Sequence, residues 1–333
     1  MNIGFLHSGE SEFNNLLLGR LNGCLRGHTV LSWLADEKAP SKDFDVLLVN
    51  GDLGSNQMEG QPNLKLIQTT NTGYESIDIA SATELGIWVS YAPSGLTGNA
   101  TSVAEFAILL ILASSRHLSQ IVTSVHGGQA YAPYLSSALN GKTVCIVGLG
   151  SIGRQIVERL RPFGVLILAT DEHPEDAPSD VTAFPAEKLE VAVADADYVV
   201  LCVRASKENE GLVSASVLRS MKHGAVLINV ARGSLVDEGA LLSALKDGHI
   251  SAIGLDVVRN EPLDQANPLL RVPQALVTPH IAAYTDLMLS GTVDYIFQVI
   301  RDFEAERKPA SVLNNPARPR LALREDQSLF SLQ

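Results

Sequence analysis

The sequence predicts an α/β protein made of two doubly wound parallel-sheet domains. Three observations lead there. Apolar runs of strand length alternate with amphipathic stretches along nearly the whole chain. The alternation breaks once, at Ala92-Pro93-Ser94-Gly95-Leu96-Thr97-Gly98-Asn99, a segment rich in Gly, Pro and Asn. The length, 333 residues, suits about two domains.

Before that break, strands are expected over 2–7, 28–34, 45–50, 64–69 and 87–91. Helices are expected over 10–21 and 76–85, with Gly86 as the stop of the second. After it comes a long helix over 101–116. A second alternating series follows, with six strands over 143–147, 165–170, 198–203, 225–230, 251–255 and 275–278. A helix over 286–306 carries the chain onward. The tail 314–333 has two prolines and mixed charge and is expected to wrap a surface.

Composition narrows the function classes. Apolar residues make up 46% and charged residues 19%, an ordinary globular mix. The net charge of −12 gives no broad field attractive to phosphate backbones or anionic lipid, which argues against nucleic-acid and membrane partners. A small anionic ligand remains compatible, because one placed Arg can hold it. The longest apolar run, Phe106 to Ala113, is too short to cross a bilayer. The start of the chain reads as a first strand and not as a leader, so a cytoplasmic location is expected. Cys24, Cys145 and Cys202 are odd in number and form no C-x-x-C pair; they read as buried, reduced thiols.

The sharpest motif is Gly148-Leu149-Gly150-Ser151-Ile152-Gly153. It follows the strand Thr143-Val144-Cys145-Ile146-Val147 and opens an amphipathic helix carrying Ile156, Val157 and Leu160. That context is what a Rossmann dinucleotide site needs. The first Gly allows a tight turn, the second admits a pyrophosphate to the backbone, and the third lets helix and strand approach. The next strand ends in Asp171, eighteen residues past Gly153. An acid there can bind both ribose hydroxyls and repels a 2′-phosphate, and Glu172 adds to the repulsion. NAD is therefore favoured over NADP. The bland alternative is an ordinary βαβ turn with a solvated Asp.

In open α/β sheets the ligand lies beyond the carboxyl ends of the strands. Arg232 follows the strand over 225–230, Asp256 and Glu261 follow that over 251–255, and His280 follows that over 275–278. These types suit hydride exchange with a 2-keto acid. Arg supplies a fixed, planar fork for a carboxylate. His can give a proton to the carbonyl oxygen, and an adjacent carboxylate favours its charged form. Taken singly, Arg232 could start a helix, Glu261 could be a solvated loop acid and His280 could cap a helix. The other histidines (His7, His28, His117, His126, His173, His223 and His249) show no ligand spacing, so no metal is expected. Ser8, Ser234 and the cysteines have no nucleophile-elbow context, so hydrolase chemistry is not expected.

The stretches TGYESIDIASATELGIWV, VGLGSIGRQIVERL, INVARGSLVDEGALLSAL and GLDVVRNEPL, followed by TPHIAAYT, resemble the D-isomer-specific 2-hydroxyacid dehydrogenases. The resemblance covers roughly 64–285. It implies a discontinuous, flavodoxin-like substrate domain (1–98 and 287–333) and an NAD-binding Rossmann domain (99–286). It implies hinge motion near 92–99 and 285–289. It places the family's catalytic Arg, Glu and His on Arg232, Glu261 and His280, and its carboxylate-binding amides on Thr72 and Gly73, beside Arg232. Cofactor contacts fall on Gly148, Gly150, Ser151, Ile152, Gly153, Asp171 and Asp256, together with Val203, Val230, His280 and Ala283. It also implies a homodimer through the cofactor domain.

The implied activity is NAD-dependent interconversion of a small 2-keto acid and its D-2-hydroxy acid, of the glyoxylate/hydroxypyruvate, pyruvate or phosphohydroxypyruvate type. An NAD(H)-sensing corepressor or scaffold on the same fold keeps the same trio, so that alternative stays open here. A formate dehydrogenase fits poorly because position 261 is Glu. A phosphite dehydrogenase fits poorly because position 72 is Thr and not Lys. There are departures from the family pattern. Leu201-Cys202-Val203-Arg204 stands where many members carry His and Pro, Ser151 replaces a frequently basic residue, and Glu75 replaces Asp. Arg204 could meet a phosphate or ribose, or be solvated. Tyr74 and Tyr284 could border the substrate or simply pack.

Overall fold

In a computed structural model, residues 1–9, 11–37, 40, 43–128 and 135–325 are described. The chain divides into two compact units, Met1–Asn99 with Tyr284–Gln333, and Ala100–Ala283.

The first unit carries a sheet of β1 (Asn2–His7), β2 (Thr29–Leu34), β3 (Val46–Asn50), β4 (Leu66–Thr69) and β5 (Trp88–Ser90). The order is β2-β1-β3-β4-β5, and every pairing is parallel. This is the flavodoxin-like order. Alternate residues of each strand serve opposite faces. Ile3, Phe5, Val46, Leu48, Leu66 and Trp88 pack with Leu17 and Leu21 of the helix Glu12–Cys24. They also meet Leu289, Val293, Ile296, Ile300 and Phe303 of the helix Asp286–Glu304. Leu6, Leu47, Val49, Ile67 and Val89 pack on the other face, with Met58 of the helix Ser55–Glu59 and Ala82 of the helix Ile79–Glu84.

The second unit carries β6 (Thr143–Val147), β7 (Leu166–Asp171), β8 (Thr182–Pro185), β9 (Tyr198–Leu201), β10 (Ala225–Asn229), β11 (Ile250–Leu255) and β12 (Ala275–Val277). Their order is β12-β11-β10-β9-β6-β7-β8, again all parallel. Strands buried on both faces read as continuous apolar runs, which is why β9 and β10 are plain in the sequence. One face holds Val144, Ile146, Val200 and Ile228 against Ala104, Ala107, Leu110 and Ile111 of the helix Asn99–Ser115. The other holds Cys145, Val147, Val199, Leu201 and Ile253 against Leu218, Leu241 and Leu245. β6 lies between β7 and β9, so the chain's direction of travel across the sheet reverses there. A crevice at such a switch point is where an open sheet takes its ligand.

The second sheet has seven strands, not six. The extra one, β8, is a half-buried edge strand of only four residues ending in Pro185, too short to stand out. The first helix starts at Glu12, because the Ser11 side chain accepts the Asn14 N–H at 3.1 Å and caps it; position 10 lies outside the described residues. The helix expected over 76–85 is shorter, Ile79–Glu84, capped by Asp78. Cys145 is buried, whereas Cys24 and Cys202 are only half-buried; all three are free thiols. The described part of the tail lies along β5 of its own unit. Trp88 Nε1 donates to Leu321 O at 2.9 Å, and Asn314 Nδ2 donates to Ile87 O at 2.8 Å. Residues 326–333 lie outside the described set.

Among the described residues no single helix is long and apolar enough to cross a membrane. Phe303 is 2% exposed inside the first unit's core. Phe303→Ala is expected to cost about 3–5 kcal/mol in urea unfolding. A loss below about 1 kcal/mol would contradict the place of this helix in that core.

Candidate active site

The glycine loop connects β6 to the helix Ser151–Leu160. Gly153 faces the turn so closely that a Cβ there would lie 2.0 Å from Gly148 O. Only hydrogen fits, and the helix therefore starts hard against the strand. At Gly150 the opposite holds: a Cβ would meet nothing within 4 Å, and no side chain caps the helix. An uncapped helix start beside open backbone is suited to an anion. Asp171, at the end of β7, ties the glycine loop to the end of that strand. Oδ2 accepts the Leu149 N–H at 2.6 Å and Oδ1 accepts the His173 N–H at 3.0 Å. The loop and its acid thus fit a dinucleotide.

Arg232 sits in a turn just beyond β10, with extended backbone (φ −144°, ψ 145°). Asn229, 1% exposed, fixes that turn. Its Nδ2 donates to Arg232 O at 2.9 Å, and its Oδ1 accepts the Ala231 N–H at 3.0 Å. The next residue, Gly233, has the Val258 carbonyl carbon 1.9 Å from where a Cβ would stand. The Arg232 turn and the 258–261 loop are therefore in direct backbone contact. Glu238 Oε1 accepts the Arg259 N–H at 2.6 Å and holds the same loop from the adjoining helix, Glu238–Lys246.

His280 lies in the left-handed region at φ +57°. A residue with a Cβ enters that region at a cost of about 1–2 kcal/mol. Its N–H donates to Asp256 O at 2.8 Å. The Asp256 carboxylate, in a residue only 2% exposed, then accepts Thr278 Oγ1 (2.7 Å), Ile281 N–H (2.9 Å) and Ala282 N–H (2.9 Å). Asp256 thus gathers the turn on both sides of His280. In this arrangement His280 Nδ1 stands 2.7 Å from Glu261 Oε2, while Glu261 Oε1 accepts the Val258 N–H at 3.3 Å. Among the described residues His280 Nε2 makes no hydrogen bond. Partial burial pushes the Glu261 carboxyl up. The hydrogen bond and charge of His280, the Val258 N–H and the nearby Arg232 outweigh that, and hold it below the ordinary carboxylate value.

Arg232, Glu261, His280, Asp171, Asp256 and the glycines thus all lie in the second unit at its strand ends. Thr72 and Gly73 lie in the first unit after β4. Thr72 Oγ1 donates to Ala92 O at 3.0 Å, and the N–H groups of both residues have no acceptor among the described residues. Val203 abuts the glycine loop: a Cβ on Gly148 would be 2.8 Å from Val203 Cα. Val230 is 6% exposed and packs in the core. Ile152 and Ala283 pack partly against the same core, and Ser151 is exposed. Arg204 is exposed in a loop fixed by Asn209 Nδ2 donating to Arg204 O at 2.8 Å. Tyr284 stacks on Phe13 with ring centroids 4.9 Å apart, and Tyr74 meets Tyr91 edge-on.

Burial pushes the Cys145 thiol up to about 12 and raises Cys202 as well, so neither is a nucleophile at neutral pH. Among the described residues no group of three or more His, Cys, Asp or Glu could hold a metal. Sequence reasoning missed the positioning roles of Asn229, Gly233 and Thr278. Asn229 carries a signal, being a polar residue closing the otherwise apolar strand AVLIN.

A family model described as "D-isomer specific 2-hydroxyacid dehydrogenase, NAD binding domain" matches residues 108–282. The chain is 38% identical over 250 residues to a glyoxylate reductase of Thermofilum pendens, covering 73% of each chain. It is 35% identical over 249 residues to a D-3-phosphoglycerate dehydrogenase of Archaeoglobus fulgidus, covering 74% of this chain but 47% of that one. Among solved structures it is similar to an NADPH-dependent glyoxylate/hydroxypyruvate reductase of Sinorhizobium meliloti. That likeness has a TM-score of 0.83 at 29% identity, covering 96% of this chain and 100% of the other. With its glycine loop and its strand-end residues set in that matched domain, the chain belongs to the D-isomer specific 2-hydroxyacid dehydrogenases, NAD-dependent oxidoreductases of 2-keto and 2-hydroxy acids.

Proposed function

We propose that Arg232, Glu261 and His280 carry the reversible reduction of a small 2-keto acid of the glyoxylate/hydroxypyruvate type. The observation that supports it best is the 2.7 Å pairing of His280 Nδ1 with Glu261, which leaves Nε2 for a substrate oxygen. Arg232 holds the substrate carboxylate through its guanidinium and fixes the direction of the carbonyl. The Thr72 and Gly73 N–H groups are further carboxylate donors in this reading. Bound NADH supplies the hydride. As the carbonyl oxygen gains charge, His280 gives it the Nε2 proton, and Glu261 steadies the ring through Nδ1. In oxidation the neutral ring takes that proton back.

Gly148, Gly150, Ser151, Ile152 and Gly153 would hold the pyrophosphate, and Asp171 the adenosine ribose. Because Asp171 carries its charge where a 2′-phosphate would lie, NAD is preferred to NADP. Val203, Val230, Asp256, His280 and Ala283 complete the proposed cofactor contacts. The protein is proposed to act in the cytoplasm, which suits its three free thiols. It is also proposed to be a homodimer through the cofactor domain. Leu109 on one helix and Leu118, Val122 and Val125 on the next are 41–58% exposed, an apolar surface suited to a second copy.

His280→Ala is expected to lower kcat for glyoxylate reduction by about 10²–10⁴-fold while NADH binding changes far less. Single-turnover rates and fluorescence titration with NADH separate the two; near-normal turnover would remove His280 from the chemistry. Glu261→Gln removes the charge that steadies the ring, so kcat for reduction is expected to fall while NADH binding changes far less. An unchanged kcat would contradict the role of the pair. Stability provides a second readout. The Glu261 carboxyl is held below its ordinary value, so its contribution is present above about pH 4.3 and is lost as pH falls through the depressed value. The variant should be less stable than the parent near neutrality and converge with it in acid.

A further inference from the structure

The two faces of the first sheet are covered unequally. One carries the helices Glu12–Cys24 and Asp286–Glu304, of 13 and 19 residues. The other carries the helices Ser55–Glu59 and Ile79–Glu84, of 5 and 6 residues. A helix rises about 1.5 Å per residue, so the short pair spans far less of the sheet. On that thinly covered face stands a cavity of about 160 Å³. Leu6, Leu47 and Leu53, each 1% exposed, supply its apolar wall, and all three belong to the core of that face. Trp33 lines it as well. The indole lies against β1 at Gly4, where a Cβ would stand 2.7 Å from Trp33 Cη2, and it stacks on Phe44 with ring centroids 5.0 Å apart.

Two buried side chains on this wall carry N–H groups without an acceptor. Trp33 is 9% exposed and Gln61, which also lines the cavity, is 6% exposed. The backbone orients Gln61. Its Oε1 accepts the Phe44 N–H at 3.1 Å, so Nε2 is the atom left over. Neither Trp33 Nε1 nor Gln61 Nε2 donates to any group among the described residues. Buried indole and amide N–H groups ordinarily find acceptors, because leaving one unpaired costs free energy. Trp88, the other tryptophan, shows the usual case, with Nε1 donating to Leu321 O at 2.9 Å. Glu37 stands exposed at the same cavity, and its Oε2 accepts the Leu34 N–H at 3.2 Å. An apolar wall with a few placed polar groups is the usual make-up of a small-molecule site.

We propose that this cavity binds a neutral six-membered ring carrying a carboxamide. The ring matches the volume, since a cavity of about 150 Å³ accepts benzene. The amide oxygen accepts the hydrogens of Trp33 Nε1 and Gln61 Nε2, and the amide nitrogen donates to the Glu37 carboxylate. A purely apolar ring leaves both N–H groups unpaired. A carboxylate in place of the amide meets the charge of Glu37. None of these residues takes part in the proton, carboxylate or cofactor contacts proposed above.

The chain has two tryptophans, so the proton–nitrogen spectrum of the labelled protein carries two indole signals, and Trp33→Phe shows which is which. Titration of the parent with benzamide is expected to move the Trp33 signal saturably and downfield, as a hydrogen bond forms. Trp88, already bonded, should stay in place, and the shift should persist with NADH present. Toluene has the ring without the amide, and benzoate replaces the amide by a charge; each is expected to bind about tenfold more weakly than benzamide. Glu37→Gln, at an exposed position, should narrow the gap between benzoate and benzamide. Leu47→Phe, which fills the cavity, should abolish the benzamide shift, with thermal unfolding as the check that the variant is folded. A Trp33 signal left unmoved by benzamide would overturn the proposal. So would a shift that NADH abolishes, which would put benzamide in the cofactor's place. Toluene binding as tightly as benzamide would overturn the carboxamide class.

Discussion

A histidine held in the left-handed backbone region is the constraint on which the site turns. At φ +57° His280 occupies a conformation that a residue with a Cβ rarely adopts. Asp256 offsets that cost. Its carbonyl takes the His280 N–H, and its buried carboxylate takes three more donors from residues 278, 281 and 282. A buried carboxylate with three donors is well satisfied, and it fixes the backbone on both sides of His280. From that position Nδ1 meets Glu261 at 2.7 Å.

The second constraint is close approach. Gly153 brings the helix start against β6, and Gly233 brings the Arg232 turn against the 258–261 loop. Each is a place where backbone meets backbone and no side chain fits. Asn229 joins the two systems further, since its backbone O accepts the Asp256 N–H while its side chain fixes the Arg232 turn. The guanidinium, the carboxylate and the imidazole are thus set by one connected framework on β10, β11 and β12. Displacing any of the three turns would disturb the others.

Much of this framework was legible in the sequence. Strands such as β3 and β10 are buried on both faces and read as continuous apolar runs. The glycine loop was legible because its spacing between strand and helix is dictated by sterics. What the sequence hid is tertiary. The edge strand β8 is only four residues long and ends in a proline, which reads as a break and not as a strand. The clearance of Gly233 depends on a loop 25 residues away in the chain. Asn50 Nδ2 donates to Asn14 Oδ1 at 2.9 Å and Asn71 Nδ2 to Asn50 Oδ1 at 3.0 Å, which joins three separated segments that no local pattern marks.

If the His280 imidazole is the acid in reduction and the base in oxidation, kcat/KM against pH, measured with glyoxylate and NADH and with the matching 2-hydroxy acid and NAD, gives mirror-image limbs, reduction failing and oxidation rising as one group loses its proton. Parallel limbs would leave His280 without that double role.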